Sequence, residues 1–162
     1  MNDRWKPSVT VAAVIEHEGR YLLVEEETPE GLRLNNPAGH LEAGESPEQG
    51  VVREALEETA RTFVPECVVG LYLSRFQRTA TGEDVTYLRL AYGGTAGEAD
   101  PTRALDEGIV RTLWMTLDEV RASRDRHRSS LLLRCIEDHA AGRRLPLDTV
   151  YADPSLMDPE VK

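Results

Sequence analysis

Six glutamates crowd the segment from Gly39 to Ala60, GHLEAGESPEQGVVREALEETA: Glu42, Glu45, Glu48, Glu54, Glu57 and Glu58. The last three are spaced i, i+3 and i+4, which on a helix puts them on one face. Like charges at that spacing repel by about 0.2–0.5 kcal/mol per pair. A solvated helix face tolerates that, so the cluster alone decides nothing. Three neighbouring features favour a ligand. An apolar stripe of Val52, Ala55, Leu56 and Thr59 is expected on the opposite side and would fix the direction of the acids. Arg53 has a planar fork that can bond a carboxylate and hold it in place. A loop with Gly39 and Gly44 runs into the helix, and a bare backbone carbonyl at Gly39 can approach a cation closely. Carboxylates and a carbonyl are hard oxygen donors, suited to Mg²⁺ or Mn²⁺.

The elements that must position these groups are legible. Ser46 predicts an N-cap, Pro47 suits the first helical position, and Gln49 completes a capping box, so a helix is expected over 46–60. Before it, Ser8–His17 and Arg20–Glu26 read as strands joined by a Glu18-Gly19 turn. Residues 27–32 read as a loop, and 34–41, with Pro37 and Gly39, as turning backbone. After it come strands over 64–74, 85–92 and 109–115. A loop tip is expected at 79–82 and a polar loop at 93–103. Thr116 and Glu119 form a second capping box, 121–128 reads as a basic loop, and Ser129 or Ser130 caps a last helix ending near Gly142. One domain is expected over 1–150, with 151–162 as its tail, loose or packed across it.

Composition narrows the function. Of 162 residues, 19 are Lys or Arg and 29 are Asp or Glu, a net charge of −10. That argues against a nucleic acid polymer or an anionic membrane as partner. It allows a small phosphorylated molecule if a bound cation inverts the local field. The apolar fraction of 40% supports a core without staples. Cys67 and Cys135 are too few for a disulfide framework and read as reduced core thiols in a cytoplasmic protein. No apolar run is long enough for a membrane span, and the first residues lack the apolar stretch of a signal peptide.

The spacing Gly39-x5-Glu45-x7-Arg53-Glu54-Ala55-x-Glu57-Glu58-x-Ala60 resembles the Nudix box, in which Gly and a bulky aliphatic stand where Ala60 and Arg61 stand here. Asn36-Pro37-Ala38-Gly39-His40-Leu41-Glu42, Leu88-Arg89-Leu90, Trp114 and the stretch 142–147 are similar to the bacterial NudJ-type phosphatases. The resemblance implies an α/β/α sandwich around a central mixed sheet and Mg²⁺-dependent hydrolysis of diphosphate linkages, with Mn²⁺ able to substitute. It implies nucleoside di- and triphosphates, or hydroxymethylpyrimidine diphosphate, as candidate substrates. By the same resemblance, Glu57, Glu58 and the Gly39 carbonyl would hold the metal. Glu54 would be a ligand or the base, with Arg53 orienting it or a neighbouring carboxylate and Glu45 supporting from behind. Family members often recruit a further acid from a distant loop, for which Asp106 and Glu107 are the candidates.

Other residues read more plainly. His40 is expected to pack the loop, and Arg75, Arg78 and Arg89 to form surface pairs. Trp5 either stacks on a base or packs the N-terminus. The arginines of 121–128 pair with the acidic surface or with another subunit. Whether the chain is a monomer or a homodimer is open. Ala60 is a good helix former, so the helix is expected to run past it and turn near 61–63. Two other functions compete: a noncatalytic nucleotide-binding sensor, against which the intact acids speak, and an acidic helix without a site.

Overall fold

The computed structural model describes residues 3–160. The outermost ends of the expected domain and tail, 1–2 and 161–162, lie outside the described residues. Seven strands and three helices form a mixed α+β fold: β1 Ser8–His17, β2 Arg20–Thr28, β3 Gly31–Asn35, β4 Ala38–His40, α1 Pro47–Thr59, β5 Phe63–Gln77, β6 Asp84–Ala96, β7 Ile109–Thr116, α2 Leu117–Ala122 and α3 Leu131–Ala140. The expected central mixed sheet is present, ordered β3-β2-β1-β6-β5, with β4 also on β1 and β7 also on β2.

β1 and β2 pair only next to their turn, at Glu16 with Tyr21 and His17 with Arg20. Beyond it, β1 pairs with β4 on one side and, in parallel, with β6 on the other. β2 pairs with β3 and β7. The sheet is therefore two half-sheets hinged at one hairpin, and β4 is the free edge of its half. Apolar residues fill both faces. Val11, Ala13, Ile15, Leu22, Phe63 and Tyr92 pack against Val51 and Ala55 of α1. Val14, Leu23, Leu34, Val69 and Ala91 pack against α3 on the other face, through Leu132, Cys135 and Ile136. Both cysteines are buried and free.

Several expectations need correction. Residues 27–32 are mostly strand: β2 runs to Thr28 and turns tightly into β3, where Gly31 has a positive φ of 98°. The polar loop starts late, because Gly93–Ala96 still pair with β5. Ser130 takes the N-cap position of α3, but Ser129 Oγ accepts the hydrogen bond from Leu131 N, 3.1 Å away. Trp5 is 68% exposed and belongs to neither core cluster. Of the alternatives for the arginines of 121–128, pairing with acids of the chain is seen for three of the four: Arg121 pairs with Glu137, Arg126 with Glu25, and Arg128 with Glu26. Leu147 and Val150 pack onto the α1-side core, whereas Tyr151, Leu156 and Met157 are exposed. Among the described residues no helix is long and apolar enough to cross a membrane.

The start of α1 follows its sequence: Ser46 Oγ accepts from Gln49 N at 3.2 Å, and Gln49 Oε1 accepts from Ser46 N at 2.9 Å. Its end does not. Ala60 is the left-handed C-cap, φ 57° and ψ 24°, so the helix stops where a glycine would have stopped it. Two backbone bonds hold the strained residue: its N–H donates to Leu56 O and its carbonyl accepts from Asp100 N. The left-handed conformation costs alanine about 1–2 kcal/mol, against about 0.8 kcal/mol for one buried methyl. Ala60→Gly is therefore expected to stabilise the protein, by up to about 1 kcal/mol, read as a raised denaturant midpoint at constant slope.

Candidate active site

Arg53 gathers the acids. Its Nε and Nη2 donate to the two oxygens of Glu45, at 2.9 and 2.8 Å. Its Nη1 donates to Glu54 Oε1 at 2.8 Å and to Glu57 Oε2 at 3.2 Å, and Nη2 also reaches the His40 carbonyl at 3.1 Å. Glu45 is held in turn by Glu42 N, 2.8 Å away. Bonding to Arg53 keeps the Glu45 carboxyl below its ordinary range, and the same bonds raise the Arg53 guanidinium further above its own. The guanidinium is a permanent charge that fixes three carboxylates in one place.

The acids do not stand opposite the apolar stripe. The buried positions of α1 are Gly50, Val51, Ala55, Glu58 and Thr59. Val51 takes the place expected of Val52, and Glu58 turns inward to accept from Ala38 N at 2.7 Å. Burial pushes the Glu58 carboxyl up to about 8, against the effect of the Ala38 N–H, with Glu26, Glu54 and Asp106 adding to the rise. Burial also raises Glu54, with Arg53 opposing.

Gly39 is where Glu54 meets β4. A Cβ at Gly39 would lie 2.1 Å from the Glu54 carboxyl carbon, so glycine is what lets the Glu54 carboxylate lie this close against β4. From the other end of the chain, Asp106 joins the cluster: its N–H donates to the Glu57 carbonyl at 2.9 Å. Glu54, Glu57 and Asp106 each offer an oxygen, all within 4.8 Å of one another. Three such oxygens are a donor set for a hard divalent cation. Glu107 is not in this group, and Glu58 stands beside it at the Ala38 N–H. His40 lends Arg53 its carbonyl and sets its ring beside Tyr87. Arg75 and Arg78 form the expected surface pairs with Asp84 and Glu83. Arg89 does not: it is 6% exposed and bonds Asn36 Oδ1 at 3.1 Å and Asn35 Oδ1 at 3.3 Å.

The family profile described as NUDIX domain matches residues 4–134. The chain belongs to the Nudix family. It is 31% identical over 146 residues to Phosphatase NudJ of Escherichia coli K12, covering 90% of this chain and 92% of that protein. Phosphatase NudJ of Shigella flexneri matches equally well. A NUDIX hydrolase from Nitrosomonas europaea superposes with a TM-score of 0.82 at 49% identity, covering 91% of this chain and 98% of that one. The NUDIX domain of Shewanella oneidensis NrtR, solved with ADP ribose, shares the fold at TM-score 0.65 and 18% identity, over 85% and 89% of the two chains. The resemblance read from the box is thus borne out. Membership in the Nudix family implies hydrolysis of diphosphate bonds, generally with a divalent metal.

Two outcomes follow from this geometry. Gly39→Ala forces Glu54 away, so Mn²⁺ affinity by calorimetry is expected to fall at least about tenfold while circular dichroism stays unchanged. The second concerns pH. Glu58 holds its proton up to about 8 in the folded chain but loses it near 4.5 when unfolded. Between those values the native state binds more protons, so its stability falls as pH rises. Without divalent cations the melting temperature is expected to drop across that window, and Glu58→Gln to flatten the drop.

Proposed function

We propose that this Nudix member is a Mg²⁺-dependent hydrolase of phosphoanhydride bonds in nucleoside di- and triphosphates or related diphosphates such as hydroxymethylpyrimidine diphosphate. The observation that carries the reading is the convergence of Glu54, Glu57 and Asp106 on one point under a single arginine. The donors fit a hard cation in type, and the Nudix-box resemblance adds the Gly39 carbonyl at the glycine against which the Glu54 carboxylate packs. Glu54, Glu57, Asp106 and the Gly39 carbonyl would hold the ion. Glu58 completes the set with the oxygen that Ala38 N–H leaves unused.

A divalent cation supplies Lewis-acid polarisation of the diphosphate and offsets the −10 charge that would repel it. The chain supplies positioning. Phosphoryl transfer to water needs alignment and charge stabilisation more than covalent chemistry from the protein. Glu54 is also the candidate to take the proton from the attacking water, as an alternative to its role as ligand. Arg53 holds Glu54 and Glu57 at fixed positions, and Glu45 fixes Arg53 from the far side. Glu107 keeps no role in this reading. The unpaired thiols suit a cytoplasmic setting.

A phosphate-release screen over nucleotides and thiamine precursors tests the reading. Hydrolysis is expected with Mg²⁺ and not with a chelator. Glu54→Gln and Glu58→Gln are each expected to lower kcat at least about a hundredfold with the fold intact. Arg53→Lys is expected to harm turnover more than stability, because lysine lacks the planar fork. Turnover that survives the chelator, or normal turnover in Glu54→Gln, would sink the assignment.

A further inference from the structure

Glu26, near the end of β2, is a buried carboxylate, 8% exposed, that lies outside the box supplying the other acids of the site. Its Oε1 is sealed from water and accepts no hydrogen bond from the described residues. Buried polar atoms in this condition are uncommon in folded proteins. Its ion-pair partner among the described residues is Arg128, whose Nη1 lies 2.8 Å from that oxygen but off the line of its N–H bonds. Charge alone joins the pair, and the donors of the guanidinium point elsewhere.

The backbone fixes where this cation stands. Arg128 N donates to Leu34 O at 2.9 Å, and His127 forms a bridge with the same Leu34 of β3. Four residues on, Ala38 N holds Glu58. Beyond burial, Glu26 is the acid that adds most to the rise at Glu58. Burial would lower the Arg128 guanidinium, and Glu26, then Tyr87 and Glu58, raise it instead. Arg128 and Glu26 thus adjoin the Glu58 side of the acidic cluster. Two other arginines come close to the site, and both are committed. Arg53 gives its donors to Glu45, Glu54, Glu57 and the His40 carbonyl. Arg89 is buried on Asn35 and Asn36. Arg128 has a side chain 51% exposed, and among the described residues none accepts a hydrogen bond from its guanidinium.

We infer that Arg128 is a substrate-binding residue whose guanidinium takes phosphate oxygens that the cation leaves free, with Glu26 as its positioning residue. An organic diphosphate carries more negative charge than one divalent cation cancels, in a chain of net charge −10. A planar fork with free donors matches two oxygens of one phosphate. Glu26 keeps the guanidinium beside the cluster without occupying its N–H groups, so the fork is placed and still unsatisfied. On binding, it gains hydrogen bonds and retains its ion pair. The inference rests on the diphosphate-hydrolase reading and adds to it a residue outside the box.

The test measures KM for a nucleoside diphosphate and for hydroxymethylpyrimidine diphosphate, together with calorimetric binding of an α,β-methylene nucleoside diphosphate, which resists hydrolysis, in the presence of Mg²⁺. Arg128→Gln is expected to raise KM at least about tenfold, and equally on whichever of the two substrates is cleaved, because the contact is to the shared diphosphate. Affinity for the analogue should fall in parallel, while Mn²⁺ affinity without it should not fall. Arg128→Lys is expected to recover only part of the loss, since it restores the charge without the fork. A double variant, Glu26→Gln with Arg128→Gln, leaves no buried carboxylate without its cation and is expected to bind as weakly as Arg128→Gln alone. Normal KM and analogue affinity in Arg128→Gln would overturn the inference. So would recovery in the double variant, which would make Arg128 a structural partner of Glu26 only. A wild-type chain that cleaves neither substrate and does not bind the analogue would instead overturn the hydrolase reading itself.

Discussion

The Arg53 guanidinium is the constraint on which the site depends. Glutamates drawn together from a loop and a helix repel one another, and without a fixed cation they would swing apart into water. One planar group satisfies Glu45 through two parallel bonds and still has donors for Glu54 and Glu57. Because it also reaches the His40 carbonyl, it ties the helix to the edge strand. The acids are thus arranged before any ligand arrives, and less ordering remains to be done on binding.

Glu58 obeys a different logic. It sits in the interior at a position that a helix would ordinarily give to an aliphatic side chain, and it ties α1 to β4 through Ala38. A buried carboxyl next to other acids is a local cost to folding, of the sort that proteins retain at sites of chemistry. Stability and function pull against each other at this residue.

Much of this was legible in the sequence. Ser46, Pro47 and Gln49 announce the start of α1, and the box spacing names Gly39, Glu45, Arg53, Glu54, Glu57 and Glu58 before any coordinates. What was hidden depends on tertiary contact. The buried face of α1 keeps Ala55 and Thr59 but takes in Val51 and Glu58 in place of Val52 and Leu56, because α1 lies with Glu54 and Glu58 against the edge strand, and hydrophobicity alone would turn those two outward. Asp106 and Glu107 are neighbours of the same type. The backbone bond from Asp106 to Glu57 and the carboxylate it brings to the cluster distinguish them, and neither has a local signature. Leu88-Arg89-Leu90 alternates as a strand with its charge in water. The reverse holds, because that half-sheet leaves its leucine face partly uncovered while its other face meets two asparagine amides. At Ala60 intrinsic helix preference yields to the bonds that stop the chain there, and those bonds come from Leu56 and the distant Asp100.

The parallel pairing of β1 with β6 has a consequence for how the chain reaches this state. Parallel partners cannot be joined by a hairpin, and here the connection includes β2, β3, β4, α1 and β5. Contacts between segments so distant along the chain form slowly, since loop-closure entropy is lost before they are made. Arg89, Tyr87 and the loop that carries Asp106 all lie on or beyond β6, whereas Gly39 and the α1 acids precede it. A nascent chain can therefore form the capped helix and the first hairpin early, as local structures, while the acids remain scattered. The complete constellation exists only after this long-range pairing has closed, so capture of a cation would report a late stage of folding and not its beginning.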